Sequence, residues 1–233
     1  MKIGILNAYH FDKTPGVYQE KYMPMLFNFL NEYWPEAIAT EYKVAQNNFP
    51  QSEHEQQLWL ITGSPLSAYD NIAWINQLKE FIVNANSSKS KLIGLCFGHQ
   101  IIAEALGGKV EKSQQGWGVG VRNFQIIKNK PWMTPQLTQC SLLFSHQDQV
   151  INLPHNAELL ATDEFCPNQM YSIDRHIFCM QGHPEFTADY AKERLDTRVE
   201  KVGSDRYKLA CSSLGQTTQS KEIWTWIKNF SSY

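Results

Sequence analysis

Hydrophobic positions along the chain fall into two alternating kinds. Apolar runs of strand length are separated by stretches in which apolar residues recur at helical spacing. Ile3 to Leu6 is the first run and reads as a strand, followed by a loop over Tyr9 to Val17 that holds Pro15-Gly16. Helical spacing covers Tyr22 to Trp34 and stops before Pro35. Leu58 to Thr62 is a second strand, ending at Gly63-Ser64-Pro65. Asn71 is placed to cap a helix reaching Asn84, with Ile72, Ile75, Leu78, Phe81 and Ile82 on one stripe. Lys91 to Leu95 is a third run, and a helix carrying Ile101, Ile102, Ala105 and Leu106 follows directly. Strands that are apolar throughout are buried on both faces, so this alternation predicts a parallel sheet covered by helices on each side.

After Gly107-Gly108 the pattern turns β-rich. Val110 to Lys112, Val119 to Lys128, Leu142 to Ser145, Glu158 to Thr162, Met170 to Asp174 and Ile177 to Gln181 all read as strands. An antiparallel section joined to the parallel sheet accounts for them. Helices return at Ala188 to Val202, Asp205 to Leu214 and Lys221 to Phe230. There are no repeats, low-complexity tracts or long linkers, and 42% of the 233 residues are hydrophobic, enough for one core. A single domain over residues 1–233 is the expectation.

Charge and cysteine content narrow the classes. A formal net charge of −2 gives no reason to expect a nucleic-acid partner. No apolar stretch approaches membrane-spanning length, and the apolar run at the N-terminus is too short for a signal peptide. The five cysteines, Cys96, Cys140, Cys166, Cys179 and Cys211, are odd in number and scattered, which fits a reduced, cytoplasmic protein. Cys96 and His99 are three apart, but no second ligand pair follows, so no metal site is expected.

Chemistry concentrates at Gly94-Leu95-Cys96-Phe97-Gly98-His99-Gln100. One cysteine lies between an apolar strand and a helix, with glycine two residues to each side. That is the Gly-x-nucleophile-x-Gly elbow, with sulfur in place of a serine hydroxyl. The turn lifts the side chain clear of the backbone and aims a helix N-terminus at the sulfur. A base is available in Gln181-Gly182-His183-Pro184-Glu185. Pro184 biases His183 toward extended backbone, where residues two apart share a side, so His183 and Glu185 can stand together as base and orienter. Asp148 and Asp174 have no spacing that sets them beside His183. Phe97 N–H, at the helix start, and Gly63, at another strand end, are candidate oxyanion donors. Cys140, Cys166, Cys179 and Cys211 sit in no elbow and read as ordinary packed cysteines. Together, Cys96, His183 and Glu185 predict acyl transfer through a thioester.

At these residues the chain resembles the class I (triad-type) glutamine amidotransferases. The stretch around Cys96 is similar to their nucleophile motif, Gly182-His183-Pro184-Glu185 to their His-x-Glu motif, and Thr62-Gly63-Ser64-Pro65 to their oxyanion loop. The resemblance runs from the first strand to Phe186. It implies a flavodoxin-like, mostly parallel α/β sheet with helices on both faces and an antiparallel β extension. It also implies attack on the side-chain amide of glutamine with release of ammonia. Gln100 matches a position that helps hold the substrate. Ser145-His146-Gln147-Asp148-Gln149-Val150 resembles a stretch lining the other side of the pocket, which makes Ser145, His146 and Asp148 substrate-binding candidates. Ser67-Ala68-Tyr69-Asp70 and Gly116-Trp117-Gly118-Val119-Gly120 look like the small stand-alone, GMP-synthase-like members, one branch of which hydrolyses γ-glutamyl peptide bonds. Too few residues follow Phe186 for a synthetase domain, and there is no glycine-rich phosphate loop, so no cofactor is expected.

Three readings follow. In the first, the donor is glutamine and ammonia passes to a synthetase partner. In the second, the donor is a γ-glutamyl amide or peptide and the chain hydrolyses it alone. In the third, of a different class, the fold carries a non-catalytic or redox-sensing cysteine protein, for which the His-Pro-Glu motif is superfluous. The loop from Tyr9 to Tyr18, at the carboxyl end of the first strand, is where a larger leaving group would lie.

Overall fold

The computed structural model describes residues 1–9 and 17–233, and side chains from Glu20 onward in the second segment. The sequence-predicted loop with His10, Phe11, Asp12 and Lys13 lies outside the described residues.

The parallel half of the sheet is built from β1 (Lys2–Leu6), β2 (Ile38–Tyr42), β3 (Leu58–Ile61), β4 (Lys91–Leu95) and β11 (Ile177–Met180). These pair in the order β2-β1-β3-β4-β11, all parallel. The antiparallel half continues through β10 (Met170–Ile173), β9 (Ala157–Thr162), β6 (Gly118–Ile126) and β7 (Gln139–His146). A separate two-stranded ribbon joins β5 (Lys109–Lys112) to β8 (Asp148–Asn152), with Lys112 opposite Asp148. The expected mostly parallel sheet with an antiparallel extension is therefore present.

Helices cover both faces, as unbroken apolar strands require. On one face α1 (Val17–Tyr33) and α7 (Ser220–Ser232) pack Leu26, Leu30, Trp224, Trp226 and Ile227 against Ile3, Ile5, Leu60 and Ile93. On the other, α2 (Ala73–Ser87) and α3 (Phe97–Ala105) pack Ile75, Leu78, Ile82, Ile101 and Ile102 against Leu6, Trp59, Ile61 and Leu92. Side chains at successive strand positions point to opposite faces, and each set finds its own helical layer.

Several elements differ from the sequence expectation for identifiable reasons. β2 was not legible because its five residues, Ile-Ala-Thr-Glu-Tyr, are all at least partly exposed on the sheet edge. β8 was not legible because it begins at polar Asp148-Gln149 and pairs outside the main sheet. α1 starts before Tyr22 and runs through Pro24, which removes one backbone donor from its interior. α2 is preceded by Ile72 in extended conformation with no side-chain cap, while Asn71 accepts a hydrogen bond from Asn76 at 2.9 Å instead. The stretch expected as one helix from Ala188 is two, α4 (Ala188–Asp196) and α5 (Val199–Val202), broken at Thr197-Arg198. The remaining helix, α6 (Ser204–Ser213), packs on β6 near Gly120.

Candidate active site

Cys96 stands between β4 and α3 with φ 52° and ψ −101°, a left-handed conformation a side chain adopts at a cost of about 1–3 kcal/mol. Packing enforces it. A Cβ on Gly94 would lie 2.7 Å from the Gly98 carbonyl, and one on Gly98 would lie 2.3 Å from the Ile61 carbonyl oxygen. Both elbow glycines therefore permit close approach of backbones. The Cys96 amide is anchored to the Met180 carbonyl at 2.9 Å, which ties the elbow to the end of β11.

The same strand end delivers the other groups. His183 is bridged to Leu143 of β7, its amide donating to the Leu143 carbonyl at 2.9 Å, so its backbone is extended as Pro184 dictates. Its Nδ1 lies 2.7 Å from Glu185 Oε1, both residues being buried. The ring stacks on Phe186, with centroids 3.8 Å apart and planes at 9°. Nε2 is buried, and besides Glu185 the Cys96 thiol interacts with the ring. Burial alone would lower the His183 pKa. The Glu185 carboxylate, and after it Cys96, outweigh burial and raise it to about 9. Asp174 is elsewhere, paired with Lys89 on the surface, and Asp148 is engaged by Ser67 and Tyr69.

Gly63 lies against both groups: a Cβ there would be 3.2 Å from His183 Cε1 and 3.9 Å from Cys96 Cβ. Its successor Ser64 lines the cavity above the sulfur. Phe97 opens α3, so its N–H has no partner within the helix.

Cys96 opens into a cavity of about 370 Å³. Gln100, Ser145, His146 and Asp148 all line it, so the structure gathers every sequence-predicted pocket residue at one place. Their bonds differ. Gln100 Nε2 donates to the Asp148 carbonyl at 2.8 Å and to Gln181 Oε1 at 3.0 Å, and Gln181 Nε2 reaches the Cys96 sulfur at 3.4 Å. Gln100 thus frames the site. His146 holds the Asp148 carbonyl through Nδ1 at 3.0 Å, and burial lowers its pKa to about 3, keeping it neutral. Ser145 Oγ accepts from Arg194 Nε at 3.0 Å and Arg198 Nη1 at 3.4 Å. The Asp148 carboxylate accepts from Ser67 Oγ at 2.5 Å and Tyr69 OH at 3.2 Å.

Two residues of the site carried no sequence signal. Tyr22 of α1 donates its hydroxyl to Glu185 Oε1 at 3.1 Å. Burial first, then the Glu185 charge, hold that hydroxyl's pKa well above its ordinary value, so it stays a donor. Arg194 of α4 is buried and also bonds Tyr9 OH at 2.7 Å. Gln181 could have been found, since it stands two residues before His183 on the same strand end.

The family model for glutamine amidotransferase class-I matches residues 35–199. Gamma-glutamyl peptidase 3 of Arabidopsis thaliana is 32% identical over 200 residues, covering 81% of this chain and 80% of its own. Gamma-glutamyl peptidase 4 of the same plant is 30% identical over 229 residues, covering 94% of this chain and 88% of its own. A glutamine amidotransferase from Thermotoga maritima superposes with a TM-score of 0.80 over 99% of this chain and 98% of its own at 14% identity, a likeness of fold.

Proposed function

The chain belongs to the glutamine amidotransferase class-I family, and on that premise we propose that it hydrolyses γ-glutamyl amides through a thioester on Cys96, with His183 as base and Glu185 as its orienter. The observation that carries this reading is His183 itself. One nitrogen is held 2.7 Å from a buried carboxylate, and the ring interacts on its other side with the elbow cysteine. An imidazole fixed at one end and set against the thiol at the other is what proton transfer requires.

His183, its pKa raised to about 9, holds the proton drawn from the Cys96 thiol as an imidazolium, and the sulfur attacks the γ-glutamyl carbonyl carbon. The oxyanion is met by the Phe97 N–H and by an amide of the Gly63-Ser64 loop, donors fixed before the charge develops. His183 returns the proton to the departing nitrogen, the C–N bond breaks, and an amine or ammonia leaves. Water then loses a proton to His183 and attacks the thioester; the C–S bond breaks, glutamate departs and the thiol is reprotonated. Glu185 holds the ring and balances its charge when protonated. The Asp148 carboxylate offers a counter-charge for the glutamyl ammonium. Gln100 and Gln181 hold the pocket wall to the sulfur.

The test is to incubate the purified chain with glutamine and with γ-glutamyl dipeptides, measuring released glutamate and amine, with Cys96→Ser as control. Turnover by wild type and none by Cys96→Ser supports the reading. Equal turnover by both refutes it. Activity on glutamine appearing only when a synthetase is added would move the chain to the ammonia-donor reading.

A further inference from the structure

The carboxylate of Asp148 is gripped by the loop that follows β3. It lines the cavity above Cys96, and each of its oxygens already accepts one hydroxyl: Oδ2 from Ser67 Oγ at 2.5 Å and Oδ1 from Tyr69 OH at 3.2 Å. The two donors lie 81 and 79 residues away in sequence, so no local turn accounts for the pairing. The same loop opens with Gly63 beside Cys96 and Ser64 lining the cavity.

The loop is stiff where it donates. The Ser67 N–H donates to Asp70 Oδ2 at 2.9 Å, the Asp70 N–H donates back to the Ser67 carbonyl at 3.0 Å, and Ala68 between them is fully buried in the layer of α2 and α3. Nearer the sulfur, the Leu66 N–H donates to Ser64 Oγ at 3.2 Å. Asp148 is held at its other end as well, through the bonds of its carbonyl to Gln100 and His146. Backbone and carboxylate are thus fixed separately, the first by residues of α3 and β7, the second by the loop. A carboxylate has about four lone-pair positions, so one hydroxyl on each oxygen leaves acceptors for an ammonium. Two hydroxyls also stop the carboxylate from turning, and an acceptor already in place spares a ligand the cost of ordering it.

Resting on the reading of the site as a γ-glutamyl hydrolase, we infer that Ser67 and Tyr69 are positioning residues: they fix the Asp148 carboxylate for the α-ammonium of the donor, and so make a free α-amino group a feature by which the site selects its substrates. The competing role for the two hydroxyls is a latch that ties the loop to β8. The roles differ in what they protect. A latch supports every donor alike, whereas a positioned carboxylate supports only donors that carry the ammonium. Hydrogen bonds to charged groups are the stronger kind, so the ammonium should favour its donor by about 10- to 100-fold in kcat/KM. Loss of one positioning hydroxyl should cut that preference by about 3- to 10-fold.

The experiment uses donors matched in everything but the α-amino group: glutamine against glutaramate, and γ-glutamylglycine against glutarylglycine. Both pairs are measured in wild type, Tyr69→Phe and Ser67→Ala, with thermal unfolding to confirm that each variant is folded. Tyr69 is 42% exposed, so removing its hydroxyl leaves the packing in place. Expected is a wild-type preference for the amino donor that shrinks in both variants. A wild-type ratio near one overturns the inference. So does a ratio that both variants leave unchanged, whether or not the two donors slow together; the hydrolase reading survives either result. No turnover of any donor removes the hydrolase reading and the positioning role with it.

Discussion

Replacing Gly63 by alanine separates positioning from folding with a single methyl. The added Cβ would sit 3.2 Å from His183 Cε1, a few tenths of an ångström inside ordinary carbon–carbon contact, and at a comfortable 3.9 Å from Cys96 Cβ. The imidazole has little room to yield. Phe186 lies parallel to it at 3.8 Å, Glu185 holds Nδ1 at 2.7 Å, and both neighbours are buried. The ring therefore shifts by a few tenths of an ångström relative to the sulfur. A 1 Å misplacement costs on the order of 100-fold in rate, so a shift of that smaller size should cost about 3- to 10-fold in kcat. Binding of the glutamyl group engages other walls, so KM should barely move. Stability should not fall: Gly63 has no left-handed φ to lose, and alanine in its place restricts the unfolded chain by about 0.4–1 kcal/mol, offsetting the contact. The melting temperature should thus stay within roughly 2–4 °C of wild type. Gly63→Val, with two further methyl groups, should lose about 100-fold in kcat. Steady-state kinetics paired with thermal unfolding reads both quantities. A Gly63→Ala protein with undiminished kcat, or one whose rate loss tracks a lower melting temperature, would refute the account of how His183 is held.

Other consequences follow from the same geometry. Tyr22→Phe removes the 3.1 Å bond to Glu185 and should lower kcat/KM about 10-fold, less than Glu185→Gln does; an unchanged rate would make Tyr22 packing alone. Because His183 is raised to about 9 from an ordinary 6.5, its protonated form stabilises the fold fully below pH 6.5, and that contribution fades as pH rises through 9. The imidazolium that protonates the leaving nitrogen is lost above that value, so the alkaline limb of kcat/KM should lie near pH 9 and move to lower pH in Glu185→Gln, whereas an unmoved limb would detach Glu185 from His183. Iodoacetamide should label Cys96 before Cys179, which burial pushes up to about 12, and before Cys140 and Cys166, also raised chiefly by burial; peptide mapping decides, and first labelling at any of those three would contradict the assignment. Gly98→Ala drives a Cβ to 2.3 Å from the Ile61 carbonyl oxygen and should cost about 3 kcal/mol, a melting-temperature loss of roughly 6–12 °C, so a variant as stable as wild type would show that α3 is free to move off β3.

What the sequence disclosed followed how locally each feature is encoded. The elbow at Cys96 is legible because a strand, two close-approach glycines and a helix lie within a dozen residues. His183 and Glu185 are legible because Pro184 fixes extended backbone and a two-residue spacing does the rest. Gln100 and Ser145 to Asp148 were recognisable as pocket residues, but their bonding was not. That Gln100 spends its amide on Asp148 and Gln181 depends on how β8 and β11 approach each other, which no local pattern records. Tyr22 and Arg194 illustrate the same limit. Their partners Glu185 and Tyr9 lie 163 and 185 residues away in sequence, and an amphipathic helix offers no mark of which buried tyrosine or arginine will meet a functional group. The edge strand β2 and the ribbon strand β8 escaped for a simpler reason: neither is buried enough to carry an apolar run.

Catalysis through Cys96 requires that a γ-glutamyl group be carried on its sulfur. The direct measurement is mass spectrometry of the chain quenched in acid during turnover of a γ-glutamyl dipeptide, followed by peptide mapping. A γ-glutamyl adduct is expected on the peptide containing Cys96, labile to hydroxylamine, enriched in Glu185→Gln where deacylation is slowed, and missing in Cys96→Ser. Turnover with no adduct on Cys96 at any quench time, or an adduct on another residue, would contradict it.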